Sequence, residues 1–303
     1  MSAAALPLRR LLLALLIVTI WGSNFVAIKL ALRDLPPLLL CTLRFIFVAI
    51  PAVFFLPRPA VAVRALLVYG FSMFAFQFGF MFLGMKLGVS AGLASLLLQF
   101  QVFVTLGLAV VFLKENISFP QVAGAVMAAA GFIVVGRHTG GEITAAGFGC
   151  LLLAAVSWGI GNFTSKRLGQ VNPLALVAWG SLPVAFAMAA ASLVFEGPAL
   201  VGHSLTHVGL TAILSTAYTV YLSTLVAYSL WSWLLARHPA TTIAPFALLV
   251  PVVGMLTSAL LLGEPLPGWK LAAAALVIAG LSLTIFGPGL ARYLRVAPLD
   301  SKP

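Results

Sequence analysis

The chain reads as an all-α integral membrane protein, with ten transmembrane helices arranged as two inverted five-helix repeats. Three observations predict this. Of its 303 residues, 62% are hydrophobic and 8% charged, whereas water-soluble domains carry about 25% charged residues. The apolar residues gather into about ten stretches near the length of about 20 residues that a spanning helix needs. Finally, one pattern occurs twice, Trp21-Gly22-Ser23-Asn24-Phe25…Lys29 and Trp158-Gly159-Ile160-Gly161-Asn162-Phe163…Lys166, each Lys eight residues after its Trp. A second pair keeps the same register: Glu115 precedes Gly131, and Glu264 precedes Gly280, by sixteen residues. With five spans in each half, the second copy enters the membrane the opposite way round, a construction common in secondary transporters with a central site. The expected units are residues 1–137, 138–287 and a basic cytoplasmic tail, 288–303.

The expected spans follow in order. The first, 11–31, holds the first Trp-Gly…Asn motif. The second, 37–56, carries Arg44 and is punctuated by Pro51. The third and fourth, 65–85 and 89–113, carry Gln77 and then Gln99 and Gln101. The fifth, 121–135, holds Gly131. The sixth, 145–164, repeats the opening motif at Trp158 and Asn162. The seventh, 173–195, has Trp179, Gly180 and Pro183, and the eighth, 208–231, has Tyr228. The ninth, 244–262, contains Pro245 and Pro251, and the tenth, 271–286, contains Gly280. The fifth and tenth are short and are expected to cross with little tilt.

A net charge of +11 invites a nucleic-acid reading, but the Lys and Arg stand singly or in pairs between spans and form no basic stripe with interleaved aromatics. They encode orientation instead. With a cytoplasmic N-terminus, the inner side collects eleven cations (Arg9, Arg10, Arg58, Arg64, Lys114, Lys166, Arg167, Arg237, Arg292, Arg295, Lys302) and the outer side four (Arg33, Lys86, Arg137, Lys270). That asymmetry places both termini in the cytoplasm. Cys41 and Cys150 fall within spans and read as packing residues. Arg9-Arg10 before an apolar run resembles a signal peptide, yet the run contains the first repeat motif, so it is expected to be retained.

Polar groups inside spans are the candidate site. Asn24 and Asn162 must face the bundle interior, where they either bond another helix or line a polar cavity. Trp21 and Trp158, each beside Gly, either pack helices or line that cavity. Gln77, Gln99 and Gln101 form the densest polar group. Residues two apart point about 200° round a helix, so Gln99 and Gln101 share a cavity only if the helix is distorted; otherwise one lines the path and the other bonds a neighbour. Tyr228 occupies the place related by the repeat to Gln77, each nine residues before a cation. Arg44 lies about 10 Å below the outer surface by helical rise. A charge at that depth marks a functional site unless it snorkels to the headgroups. Pro245 and Pro251 break the ninth span and are expected to face the two glutamines.

All six acids and all four histidines fall at span ends or in loops, so a mid-membrane proton relay is not expected. Lys29 is the one other group in the spans whose proton could come and go. No ATP-binding loop, cofactor or metal site is expected; His203 and His207 have a ligand spacing without a third ligand. An intramembrane enzyme would need a nucleophile with a base or metal in reach, which the spans do not offer. A receptor remains the other non-transport alternative.

Each half opens on Trp-Gly…Asn and closes on an apolar run into Glu, Phe112-Leu113-Lys114-Glu115 and Leu261-Leu262-Gly263-Glu264. In these motifs nearly the whole chain resembles EamA-type members of the drug/metabolite transporter superfamily. Residues 92–101 and 244–254 are similar to the O-acetylserine/cysteine exporters of that family, although Gln99-Phe100-Gln101 departs from the broader pattern, in which Pro is common at the place of Val102. The resemblance implies efflux of small neutral amino acids and derivatives across a bacterial inner membrane, with a zwitterion held by amides and one cation. Relatives implied by it also carry other amino acids, aromatic compounds and nucleosides, and proton-coupled antiport is the alternative mode for this chain. The substrate-binding candidates are thus Asn24, Arg44, Gln77, Gln99, Gln101, Trp158, Asn162 and Tyr228.

Overall fold

The structure, a computed structural model, describes residues 7–139, 143–238 and 240–296; the side chains of 235, 236, 240, 241, 244, 245 and 290–296 are not described. Glu142, Asp300, Lys302 and the side chains of Arg292, Arg295 and Pro245 therefore lie outside the described residues, as do residues 297–303 of the expected tail. Apart from one isolated bridge between Thr139 and Ile143, every regular element among the described residues is helical.

The helices are α1 (Leu8–Ala31), α2 (Pro37–Val53), α3 (Val63–Lys86), α4 (Ala91–Leu113), α5 (Phe119–Gly136), α6 (Ala145–Leu168), α7 (Pro173–Glu196), a short connector α8 (Pro198–Thr206), α9 (Leu210–Leu234), α10 (Phe246–Leu262) and α11 (Gly268–Val296). Local signals start and stop them. Ser90 and Thr144 cap α4 and α6, Asn172 caps α7, and Ser118 with Gln121 forms a capping box on α5, each supplying oxygen to N–H groups that a helix start leaves unbonded. At the other ends the chain turns through positive φ at Lys114 and at Gly169, Gly197 and Gly263.

Among the described residues eight of these helices are long and apolar enough to cross a membrane, and α2 and α10 are shorter apolar helices. Of the two expected short spans, the fifth, α5, is the shortest of the eight at 18 residues, whereas the tenth is not short, since α11 runs on past Phe286 to Val296. Proline explains the difference. Pro51 stands two residues before the end of α2, where its missing N–H weakens continuation. Pro245 lies in a 3₁₀ segment, Ala244–Leu249, that replaces the first turns expected of the ninth span. Pro251 falls in the first turn of the α-helical part, where no N–H is needed.

Three helices widen locally to π geometry, and two of these stretches, Phe71–Phe76 in α3 and Tyr218–Val226 in α9, end directly before or close to Gln77 and Tyr228. Such wide turns concentrate at functional sites. No hydropathy pattern reports them.

Packing follows the repeat. α1 lies against α9 and α10, and its counterpart α6 lies against α3 and α4; α2 packs on α7, and α5 on α11. The Trp-Gly motifs show why the glycines are there. A Cβ on Gly22 would stand 2.6 Å from Val253 of α10, and one on Gly159 would stand 2.6 Å from Val104 of α4. The two close approaches occur at matching positions of the two halves.

The bundle is not equally tight along its length. Every residue of α4 from Ala91 to Gln99 is buried, but from Gln101 to Leu113 only Ala109 is. Large apolar side chains such as Phe54, Phe55, Phe119, Phe195 and Leu260 stand outward around the bundle, an arrangement stable only in an apolar solvent.

Candidate functional site

Near the middle of the bundle a cavity of about 280 Å³ opens between α1, α2, α3, α4, α6, α9 and α10. Its lining brings together all eight candidates: Asn24, Arg44, Gln77, Gln99, Gln101, Trp158, Asn162 and Tyr228. Arg44 does not snorkel. It is 2% exposed, its Nη2 donates to Thr224 Oγ1 at 2.9 Å, and its guanidinium carbon sits 4.1 Å from the centre of the Phe78 ring. Its Nε and Nη1 are buried without a partner, as is Asn24 Oδ1. Among the described residues, the other buried polar side-chain atoms without partners belong to Thr216 and Thr219 of α9, outside the lining.

A buried cation left unneutralised costs several kcal/mol. Ring contact recovers a part, about 2 kcal/mol when desolvated. No carboxylate lines the cavity, and the one ion pair among the described residues, Lys166 with Glu115 at 2.5 Å, lies elsewhere. Two idle guanidinium donors and one idle amide acceptor in the same cavity thus match a ligand that carries both an anionic acceptor and a donor.

The glutamines reach the same cavity because α4 is distorted there. Leu98–Phe100 forms a 3₁₀ turn between the α-helical parts of α4, so the 200° separation of a regular helix does not hold. Gln99 is 9% exposed. Gln101, less buried, accepts a hydrogen bond of 2.6 Å from Asn162 Nδ2 on α6. Among the described residues of this span, Ala247 and Val250 line the cavity and Pro251 does not.

Sequence reasoning missed several lining residues. Ser95 and Ser223 are small hydroxyls with no distinguishing pattern, and Met73, Phe78, Met81 and Trp231 are lost among the other apolar residues of their spans. Trp21, whose neighbouring Gly favours a packing role, also lines the cavity. Its Nε1 donates to Ser223 O at 3.0 Å, and its ring meets Tyr228 and Trp231 at 5.3 and 5.1 Å.

At the end of the bundle where α4 begins, polar contacts hold the helices together. Glu264 accepts from Ala91 N at 2.7 Å and Gly92 N at 3.1 Å. Lys29 donates to Met85 O and Val89 O at 2.7 and 3.2 Å, and Lys86 donates to Leu32 O at 2.7 Å. Lys29 thus joins α1 to the turn between α3 and α4.

The EamA-like transporter family model matches residues 8–137 and 145–286. The chain belongs to the EamA-like transporter family. It is thus a multi-pass membrane transporter and not an enzyme. Among the relatives of this EamA-like transporter, a protein of Salmonella typhimurium named "Probable amino-acid metabolite efflux pump" is 42% identical over 291 residues, 94% of this chain and 97% of that one. An Escherichia coli K12 protein of the same name is 41% identical over 91% of this chain and 94% of its own. A "Probable terminal-alkyne amino-acid exporter" of Streptantibioticus cattleyicolor is 33% identical over 64% of each chain. A solved crystal structure of 22% identity matches the fold with a TM-score of 0.63, covering 96% of this chain and 99% of that one.

Proposed function

We propose that this transporter exports small neutral amino acids and their derivatives, of the cysteine and O-acetylserine kind, across a bacterial inner membrane by alternating access. The observation that carries the reading is the cavity's pattern of idle groups: Arg44 Nε and Nη1 for a carboxylate, Asn24 Oδ1 for an ammonium. The amides of Gln77 and Gln99 add donors and acceptors without a fixed charge. A dianion would find one cation, and a cation would meet Arg44 head on.

Ten spans in two inverted halves, with both termini cytoplasmic, complete the proposal. It is supported by the two family matches, by the exchange of α1–α10 and α6–α4 contacts between the halves, and by the eleven-to-four division of cations. In this frame the buried first half of α4 is the outer, closed end and its more exposed second half opens inward. The names of the relatives in Salmonella and Escherichia support an amino-acid cargo.

A second reading rests on the ring cluster of Trp21, Tyr228 and Trp231, which suits an aromatic cargo through stacking. Counterflow of labelled compounds in proteoliposomes tests both. Small zwitterions should exchange and simple monoamines should not; exchange of an aromatic compound lacking a carboxylate would sink the first reading in favour of the second.

A further inference from the structure

Beyond the central cavity lies a second one of about 480 Å³, toward the C-terminal end of α4, lined among others by Thr105, Glu115, Gln121, Lys166 and Thr284. Two residues line both cavities, Gln101 and Asn162, and they are the two joined by the 2.6 Å bond from α6 to α4. We infer that this amide pair is an internal door, through which substrate passes from an inward vestibule into the central site. The inference rests on the transport reading above and divides the work of the two glutamines: Gln99 belongs to the site, Gln101 to its threshold.

Three features carry it. The bond is between neutral amides that are only partly buried, so breaking it costs about 0.5–1.5 kcal/mol; separating a buried ion pair costs several. A contact of that strength holds the door shut most of the time and yields in every cycle. Each amide keeps donor and acceptor capacity beyond the shared bond, so a zwitterion meets polar partners as the pair parts. The position is also a mechanical one. Gln101 directly follows the 3₁₀ turn Leu98–Phe100, where α4 passes from its fully buried half to its exposed half, and a small change of helical pitch there swings the side chain.

The vestibule carries its own pair of charges, Lys166 and Glu115, 2.5 Å apart and with side chains 49% and 44% exposed. A zwitterion presents the same two charges in reverse and can exchange partners with them at little cost, since exposed ion pairs contribute about 0–1 kcal/mol. Substrate is thereby met by matching charge before it reaches the door.

The test joins the two sides of the door. In a Cys41→Ala, Cys150→Ala background, Gln101→Cys and Asn162→Cys are combined, and counterflow of labelled amino acid is followed before and after a short, reducible bifunctional thiol reagent. Counterflow should fall at least tenfold as cross-linking nears completion and return on reduction, while the background protein keeps its rate. Complete cross-linking with unchanged counterflow, or thiols that never join, overturns the inference. Should the double-cysteine protein be inactive from the start, thiol labelling decides instead. A charged reagent supplied from the vestibule side should label Thr105→Cys at the same rate with or without Gln101→Ala, but should label Met73→Cys, in the central cavity, roughly 2- to 12-fold faster once Gln101 is Ala. Equal rates at Met73→Cys overturn the door. Arg44→Gln, run in parallel, keeps the two readings apart: normal counterflow there removes the central site as proposed and leaves the door to stand or fall on the labelling.

Discussion

Arg44 on α2 and Thr224 on α9 are joined by a single hydrogen bond of 2.9 Å from Nη2 to Oγ1, and the other two guanidinium nitrogens, Nε and Nη1, are buried without a partner. Thr224 in turn donates to Thr219 O at 2.9 Å within the widened part of α9. The protein thus fixes the cation's position with a neutral contact and leaves its charge for something else to balance.

Replacement of Arg44 by Gln should therefore weaken transport of zwitterions. Hydrogen bonds to charged groups contribute about 1.5–3 kcal/mol, which corresponds to roughly a 10- to 150-fold rise in KM. Arg44→Lys should restore only part, because an ammonium cannot hold a carboxylate through two parallel bonds. KM measured in proteoliposomes checks both. An unchanged KM in Arg44→Gln would reduce Arg44 to a structural residue packed on Phe78.

Gln99→Ala should impair transport more than assembly. Gln99 lines the cavity from the buried half of α4, and its loss leaves one substrate group unbonded at a cost of about 1–3 kcal/mol, roughly 5- to 150-fold in affinity. Substrate-induced thermal stabilisation of the purified protein measures that loss independently of turnover. Equal stabilisation of Gln99→Ala and the parent would take Gln99 out of the site.

Much of this was legible because the membrane makes polarity conspicuous. Asn24, Arg44, Gln77 and Asn162 stand out in apolar runs, each costing free energy unless turned inward, and turning inward from four helices brings them to one cavity. The repeat was legible for a different reason: the same small residue is needed wherever the same two helices cross, so Gly22 and Gly159 report matching contacts with Val253 and Val104. What did not show was backbone irregularity. The 3₁₀ turn that carries Gln99 and Gln101 to one cavity contains no Gly or Pro, and neither does the wide stretch Phe71–Phe76. These depart from α geometry through packing, and hydropathy carries no trace of it. Span lengths failed at α2 and α10 because proline, not apolar length, sets where those helices begin and end.

Glu264→Gln should loosen the closed end of the bundle. The carboxylate accepts from both Ala91 N and Gly92 N, and an amide offers one oxygen in place of two. Losing an N-terminal cap costs about 0.5–2 kcal/mol. Because the contact ties α10 to the start of α4, the loss should appear twice, as a lower apparent Tm and as faster labelling of a cysteine introduced at that end of the bundle. An unchanged labelling rate would show that Glu264 only caps the helix and does not hold the end closed.

The last expectation concerns energy coupling: transport should run down the substrate's own gradient, by facilitated diffusion or exchange, without an obligatory proton. Coupling needs a group that changes protonation between the two states of the carrier. No Asp, Glu or His lines the central cavity, and the guanidinium of Arg44 stays charged. Lys29 is the remaining candidate in the spans. Its ammonium lies outside the cavity lining and already donates to Met85 O and Val89 O, where it joins α1 to the turn between α3 and α4. The hollow that Lys29 lines there with Arg33, Lys86 and Glu264 is separate from the lining of the central cavity. Efflux from substrate-loaded proteoliposomes should therefore proceed at a similar rate with and without an imposed pH gradient. A strict dependence on the gradient that disappears in Lys29→Ala would overturn this and make Lys29 the coupling residue.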